Sequence, residues 1–161
     1  MNYADSVYQT KLGSGRSPDF MQTEQFLWSS QSDWNSSAPP GSLGATAQLV
    51  LFFGGAQLEN VGRCFDSVRA AYPNAHLFGC STAGEIQGAR VSDDTVAVTA
   101  VAFEHTRVAF ARTRIESPAE SFAAGGKLAA QFDPAGLRHL FVLSEGLLVN
   151  GSDLVNGIKT T

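Results

Sequence analysis

Leu49-Val50-Leu51-Phe52-Phe53-Gly54-Gly55 is the stretch on which the fold turns. A strand with one face in water alternates polar and apolar residues. Five apolar residues in a row, closed by glycines, fit a strand covered on both faces. Downstream, Leu58, Val61, Cys64, Phe65, Val68 and Tyr72 recur at helical spacing, with Glu59, Arg63, Asp66 and Arg69 between them. Pro73-Asn74 stops that helix. His76-Leu77-Phe78-Gly79-Cys80 is a second apolar strand, running into Ser81-Thr82-Ala83-Gly84-Glu85.

After a polar turn at Ser92-Asp93-Asp94, Thr95 to Phe103 is β-rich. Arg107 to Ile115 follows across Glu104-His105-Thr106, short enough to predict a hairpin. Ser117-Pro118-Ala119-Glu120 predicts a helix start, with Ser117 and Glu120 capping each other's amides. Phe122, Leu128, Ala129 and Phe132 give that helix an apolar face. Gly125-Gly126 weakens it by ~1 kcal/mol per glycine, which points to close backbone packing. Leu140-Phe141-Val142-Leu143 is the last strand, and Asn150 or Ser152 caps a final helix carrying Leu154, Val155 and Ile158. The expected class is α/β, a mixed sheet flanked by helices in the order β-α-β-β-β-α-β-α.

This α/β domain is assigned to residues 46–161. Residues 1–45 read as a leader. Ser29 to Gly44 is mostly Ser, Gly, Pro and Asn and predicts a flexible linker. Before it, Phe20, Met21, Phe26, Leu27 and Trp28 fit a short amphipathic helix or a disordered tail with aromatic residues.

The 161 residues suit one domain, and the 43% hydrophobic content excludes wholesale disorder. The net charge of −4 and scattered basic residues argue against nucleic-acid binding. No apolar run approaches the roughly 18 residues of a membrane helix, and the first residues lack the pattern of a secretory signal. The expected location is therefore cytoplasmic. Cys64 and Cys80 are too few for a disulfide framework and lack zinc-type spacing.

Ligands of open α/β sheets gather at the carboxyl ends of strands. Gly54-Gly55, the segment from Cys80 to Glu85, and Ser144-Glu145-Gly146 are three such exits, with Asn150-Gly151-Ser152-Asp153 close behind the third. If their strands are parallel neighbours, they share one rim. Cys80, Ser81, Thr82, Gly84 and Glu85, with Asn150 and Ser152, are the candidate contacts for a small polar ligand. The competing reading is a structural turn whose hydroxyls bond locally.

Ser81 as a hydrolase nucleophile fits poorly, because the spacing is G-x-S-x-x-G and no helix follows. Cys80 as a reactive thiol competes with an ordinary buried cysteine. His76, His105 and His139 match no zinc motif, although one histidine suffices for an axial haem ligand. Arg112 and Arg114 share a strand face and could hold an anion, against the simpler reading of a solvent face.

Gly79-Cys80-Ser81-Thr82-Ala83-Gly84-Glu85-Ile86, paired with Asn150-Gly151-Ser152, resembles the hallmark of the FIST family of sensory domains. The resemblance covers about residues 46–161. It implies a non-enzymatic, cytoplasmic ligand-sensing input domain in signal transduction, with an amino-acid-like ligand and a signalling partner such as a histidine kinase. A haem-binding, nitric-oxide-sensing branch is similar too, and it would make haem a cofactor with His76, His105 or His139 as ligand. Relatives commonly carry an Asp where this chain has Glu145. The family domain normally runs further, so a partial domain with exposed apolar surface, prone to homodimerise, is expected.

Overall fold

In a computed structural model, which describes residues 21–35, 39–56 and 58–160, the Leu49–Gly55 run is strand β3 at the heart of a five-stranded sheet. The other members are β1 (Met21–Ser29), β2 (Asp33–Trp34), β4 (His76–Thr82) and β7 (Thr95–Phe103). The order is β2-β1-β7-β3-β4. β3 and β4 are parallel, joined through helix α1 (Val61–Ala71), and the other pairings are antiparallel. β5 (Glu85–Gln87) and β6 (Arg90–Ser92) form a separate hairpin. The chain is thus a mixed α/β fold with a mixed sheet and three helices, as the apolar runs predicted.

The core lies between α1 and one sheet face. Cys64, Val68 and Tyr72 from the helix end meet Val50 of β3, Val96, Val98 and Ala100 of β7, and Trp28 of β1. Side chains two apart on a strand share a face, which explains the even-numbered set on each strand. Burial without a polar partner pushes the Cys64 thiol up to about 12, so it stays protonated and acts as a small apolar residue.

β1 corrects the sequence reading. Neither a helix nor a disordered tail occupies 21–29. All nine residues pair with β7, from Met21 opposite Phe103 to Ser29 opposite Thr95. Phe26 and Trp28 are buried between exposed or half-buried neighbours, a period of two that the cluster of aromatics obscured. Residues 39–46 are not a free linker either. Pro40 is buried, Leu43 packs on the core, and Gly44–Thr46 is a 3₁₀ turn. Phe20 and the rest of the leader before it lie outside the described residues.

The predicted hairpin at 104–106 does not form. Both edges of β7 are taken, by β1 and β3, so residues 107–115 have no place beside it. They belong to no helix or strand, and neither does Leu140–Leu143. Helices α2 (Ser121–Ala129) and α3 (Gly151–Lys159) pack on each other. A Cβ on Gly125 would stand 2.1 Å from the Leu154 carbonyl oxygen, and one on Gly157 would stand 1.9 Å from that of Phe122. This is the close backbone packing expected at Gly125. Asn150 caps α3 as predicted, its side chain accepting from the Ser152 and Asp153 amides. The α2 cap is shifted: Glu120 accepts from the amide of Glu116 rather than Ser117, and a 3₁₀ turn (Pro118–Glu120) precedes the helix.

Candidate functional site

The parallel register sets Gly54 beside Ser81 and Gly55 beside Thr82, so the first two predicted exits are neighbours. Next to them an open hollow of about 340 Å³ is lined by Phe52, Gly54, Gly55, Val61, Phe65, Leu77, Gly79, Cys80 and Ser81, with Ala56 and Phe78. Three features make it. β3 and β4 end there side by side, the N-terminal half of α1 supplies Val61 and Phe65, and glycines on both strands put no side chain into the space. Gly79 is obligatory: an added Cβ would lie 1.6 Å from the Phe52 carbonyl oxygen on the adjacent strand. At Gly54 a Cβ would meet Val96 Cγ2 at 2.9 Å and Thr95 O at 3.0 Å.

The hollow has two chemistries. Phe52, Val61, Phe65 and Leu77 give an apolar wall, with the Phe52 and Phe65 rings edge-to-face at 6.2 Å. Cys80 and Ser81, both exposed, give it a thiol and a hydroxyl.

Of the predicted contacts, only Cys80 and Ser81 line this space. Glu85 is 2% exposed and fully engaged. One carboxylate oxygen accepts from Thr82 Oγ1 at 2.6 Å, the other from Thr95 Oγ1 at 2.7 Å and the Thr95 amide at 3.3 Å. Glu85 therefore ties the end of β4 to the start of β7, and Thr82 spends its hydroxyl in the same knot. Gly84 sits in the turn between them, a Cβ there meeting Asp93 Oδ1 at 3.4 Å. Asn150 and Ser152 stand at the start of α3, away from the lining set, and the Asn150 amide donates to Ser121 Oγ at 2.9 Å. Glu145 accepts from the amides of Leu147, at 2.8 Å, and Leu148. Val61 and Phe65 were missed as wall residues. Their helical spacing was legible, but which turn of α1 overhangs the strand exits is a tertiary property.

Ser81 is followed by β5, not by a helix, so the strained strand-to-helix turn of a nucleophile elbow is absent. No histidine lines the hollow. His76 is exposed and its ring stacks on Phe110 at 6.0 Å, exposed His105 lies 3.7 Å from Glu104, and His139 is exposed outside any helix or strand. These positions do not fit a histidine-ligated haem in the hollow. Among the described residues no group of three or more His, Cys, Asp or Glu is arranged to hold a metal ion. Arg112 and Arg114 are exposed, and Arg114 pairs with Glu116 at 3.3 Å, which is the solvent-face reading.

A family model for the FIST N domain matches residues 48–161. The chain belongs to the FIST family. FIST domains are sensory domains of signal transduction, a family not typically enzymatic, and the FIST run at Gly79–Ile86 is the end of β4 with the turn into β5. The match begins after β1 and β2, so this FIST chain completes its sheet with strands from outside the matched region. No curated protein and no solved structure matches it. Among the described residues no helix is long and apolar enough to cross a membrane.

Proposed function

We propose that this FIST chain is a cytoplasmic, non-enzymatic, ligand-sensing input domain and that its small-molecule site is the hollow at the carboxyl ends of β3 and β4. The observation that carries this reading is the pairing, in one space, of an apolar wall from Phe52, Val61, Phe65 and Leu77 with the hydroxyl of Ser81 and the thiol of Cys80. Small-molecule sites combine a mostly apolar lining with a few placed polar groups, and the volume is at the lower end of their range. The ligand class that fits is a small amphipathic molecule of amino-acid type. Its polar end would meet Ser81, Cys80 and the main chain at Gly54-Gly55, which lines the hollow. Its apolar end would meet Val61 and Phe65.

The output of such a domain is a signalling protein such as a histidine kinase. A homodimer is the other partner that exposed Phe141, Leu147 and Leu148 would accommodate. The deciding experiment is calorimetry of the whole chain with a panel of free amino acids. Binding of an apolar member is expected. Ser81→Ala should weaken it up to about tenfold, since one hydrogen bond is worth about 1 kcal/mol and tenfold is about 1.4. Silence across the panel removes the amino-acid class. Equal affinity in Ser81→Ala and Val61→Ala removes the site.

A further inference from the structure

Phe78, on β4, stands at the centre of a cluster of rings. It meets Phe110 edge-on at 5.8 Å and Phe141 edge-on at 5.5 Å, and Phe110 stacks on His76 at 6.0 Å with 17° between planes. The outer rings stay largely in water: Phe110 is 47% and Phe141 59% exposed, and Leu140 and Val142, on either side of Phe141, are exposed as well. Phe78 also lines the hollow, so the cluster adjoins it. An exposed apolar patch with a polar rim marks an interaction site.

The rim here has one sign of charge. The whole chain carries −4, yet no Asp or Glu occurs from His76 to Thr82, from His105 to Ile115 or from Pro134 to Ser144, whereas Arg107, Arg112, Arg114 and Arg138 all fall in these stretches. Connectivity keeps them near the rings. A chain spans at most about 3.6 Å per residue, so the Cα of Arg112 lies within about 7 Å of that of Phe110, and those of Arg107 and Arg138 within about 11 Å of Phe110 and Phe141. All four arginines are exposed. Arg114 pairs with Glu116 at 3.3 Å, and the other three join no ion pair among the described residues.

We propose that this patch is the docking face for an acidic, apolar segment of the signalling partner, whose apolar side chains bury Phe110 and Phe141 and whose carboxylates meet Arg107, Arg112 and Arg138. That the segment belongs to a signalling protein rests on the reading of the chain as an input domain; the chemistry of the patch does not. A second copy fits less well, because a two-fold contact here sets the arginines against their own counterparts. A nucleic acid fits less well too. Phe110 already gives one ring face to His76, Leu140 and Val142 offer no stacking surface, and a chain of charge −4 repels a polyanion.

The test selects random dodecapeptides, displayed on phage, against the full chain with no amino acid added. Enriched peptides should be rich in Asp and Glu as well as in Leu and aromatic residues. Phe110→Ser and Phe141→Ser should each weaken the selected peptides at least about tenfold, mostly through faster dissociation, because buried aromatic anchors hold most of an interface's affinity. Phe122→Ser, on a ring of α2 outside the cluster and 51% exposed, should leave binding unchanged. Arg112→Glu with Arg138→Glu keeps the rings in place. It should slow association about tenfold and remove most of the salt dependence, because rim charges act through encounter.

Four results overturn the docking face: no enrichment, enriched peptides no more acidic than the starting library, equal binding by the Phe110→Ser and Phe141→Ser chains, or displacement of the peptides by single-stranded oligothymidylate. A chain that sediments as a dimer and becomes a monomer on Phe141→Ser also overturns it, in favour of a second copy. The selection contains no ligand and the calorimetry contains no peptide. Acidic peptides bound at the patch beside a silent amino-acid panel would therefore remove the ligand reading alone, and the converse result would remove the docking face alone.

Discussion

The Tyr72 hydroxyl donates to Glu24 Oε1 at 2.7 Å, fastening the end of α1 to a strand that lies upstream of the matched family region. Glu24 also accepts from the Leu43 amide at 3.0 Å, the Ser42 amide at 3.2 Å and the Ser42 hydroxyl. One carboxylate thus gathers β1, the 39–46 segment and α1 at a single point. A hydrogen bond to a charged group is worth roughly 1.5–3 kcal/mol when buried, and less at a half-buried site. Tyr72→Phe is expected to cost about 1 kcal/mol in a urea titration, with an unchanged slope against denaturant.

The same cluster sets a pH dependence at the acid end. Burial raises the Glu24 pKa, but the hydrogen bonds from Ser42, Leu43 and Tyr72 outweigh it, and the net position is below the ordinary 4.5. A depressed carboxyl contributes stability above its unfolded pKa and loses it as pH falls through the folded one. The chain should therefore lose stability below about pH 4.5. Glu24→Gln should flatten that part of the melting-temperature profile, whereas Glu59→Gln, on an exposed residue, should leave it unchanged.

At the alkaline end the sign reverses. Burial first, then the hydrogen bond and charge of Glu24, push the Tyr72 hydroxyl far above its usual 10.0. A raised acid contributes stability that is complete below its unfolded pKa and is lost as pH climbs beyond it. Unfolding by base should set in above pH 10, and Tyr72→Phe should reduce the slope of stability with pH there. An equal slope in both chains would contradict this.

Trp28 is 2% exposed and belongs to the same core as Val50, Cys64 and Val98. Removing a large buried aromatic costs about 3–5 kcal/mol. Trp28→Ala is expected to lower stability by that amount. A chain shortened to begin at residue 46 should not fold cooperatively, because it exposes one edge of β7 and opens the core. A sharp unfolding transition in the shortened chain would show β1 to be dispensable.

Gly125 and Gly157 set two opposing effects against each other. Alanine in a helix interior gains about 1 kcal/mol over glycine. Here its Cβ would strike the carbonyl oxygens of Leu154 or Phe122 near 2 Å, and overpacking costs about 1–3 kcal/mol or more. The clash wins, so each alanine variant should be less stable, by about 1–2 kcal/mol net. The pair should be non-additive, since separating the helices once relieves both contacts. Glu85→Ala should likewise destabilise, by about 2 kcal/mol, as it strips Thr82 and Thr95 of their acceptor. Ser81→Ala should leave stability within about 0.5 kcal/mol. That contrast separates a residue that holds the turn from one that faces the hollow.

What was legible in the sequence was local. The unbroken apolar run at 49–53 marked an inner strand, although only the α1 side of it lies in the core, the stripe from Leu58 to Tyr72 marked α1, and Asn150 was one of two candidates for the cap. What was not legible depends on partners far along the chain. Phe26 and Trp28 are inward-facing strand residues only because β7 offers an edge some seventy residues later. The hairpin after Phe103 failed because that edge, and the opposite one, were already filled. At the site, Cys80 and Ser81 were found from the strand-exit rule. Glu85 carries the same polar signal as they do, and only the position of Thr95 shows that its oxygens are spoken for.

Gly54, Gly55 and Gly79 leave one side of the hollow as bare main chain, and at Gly54 and Gly79 the neighbouring atoms leave no room for anything larger. That side can change its chemistry very little by substitution. Variation in what the hollow accepts must then come from the opposite bank, the N-terminal half of α1, where the side chains of Val61 and Phe65 are both part-exposed. Relatives with different tastes should differ there first, while keeping the glycine bank intact.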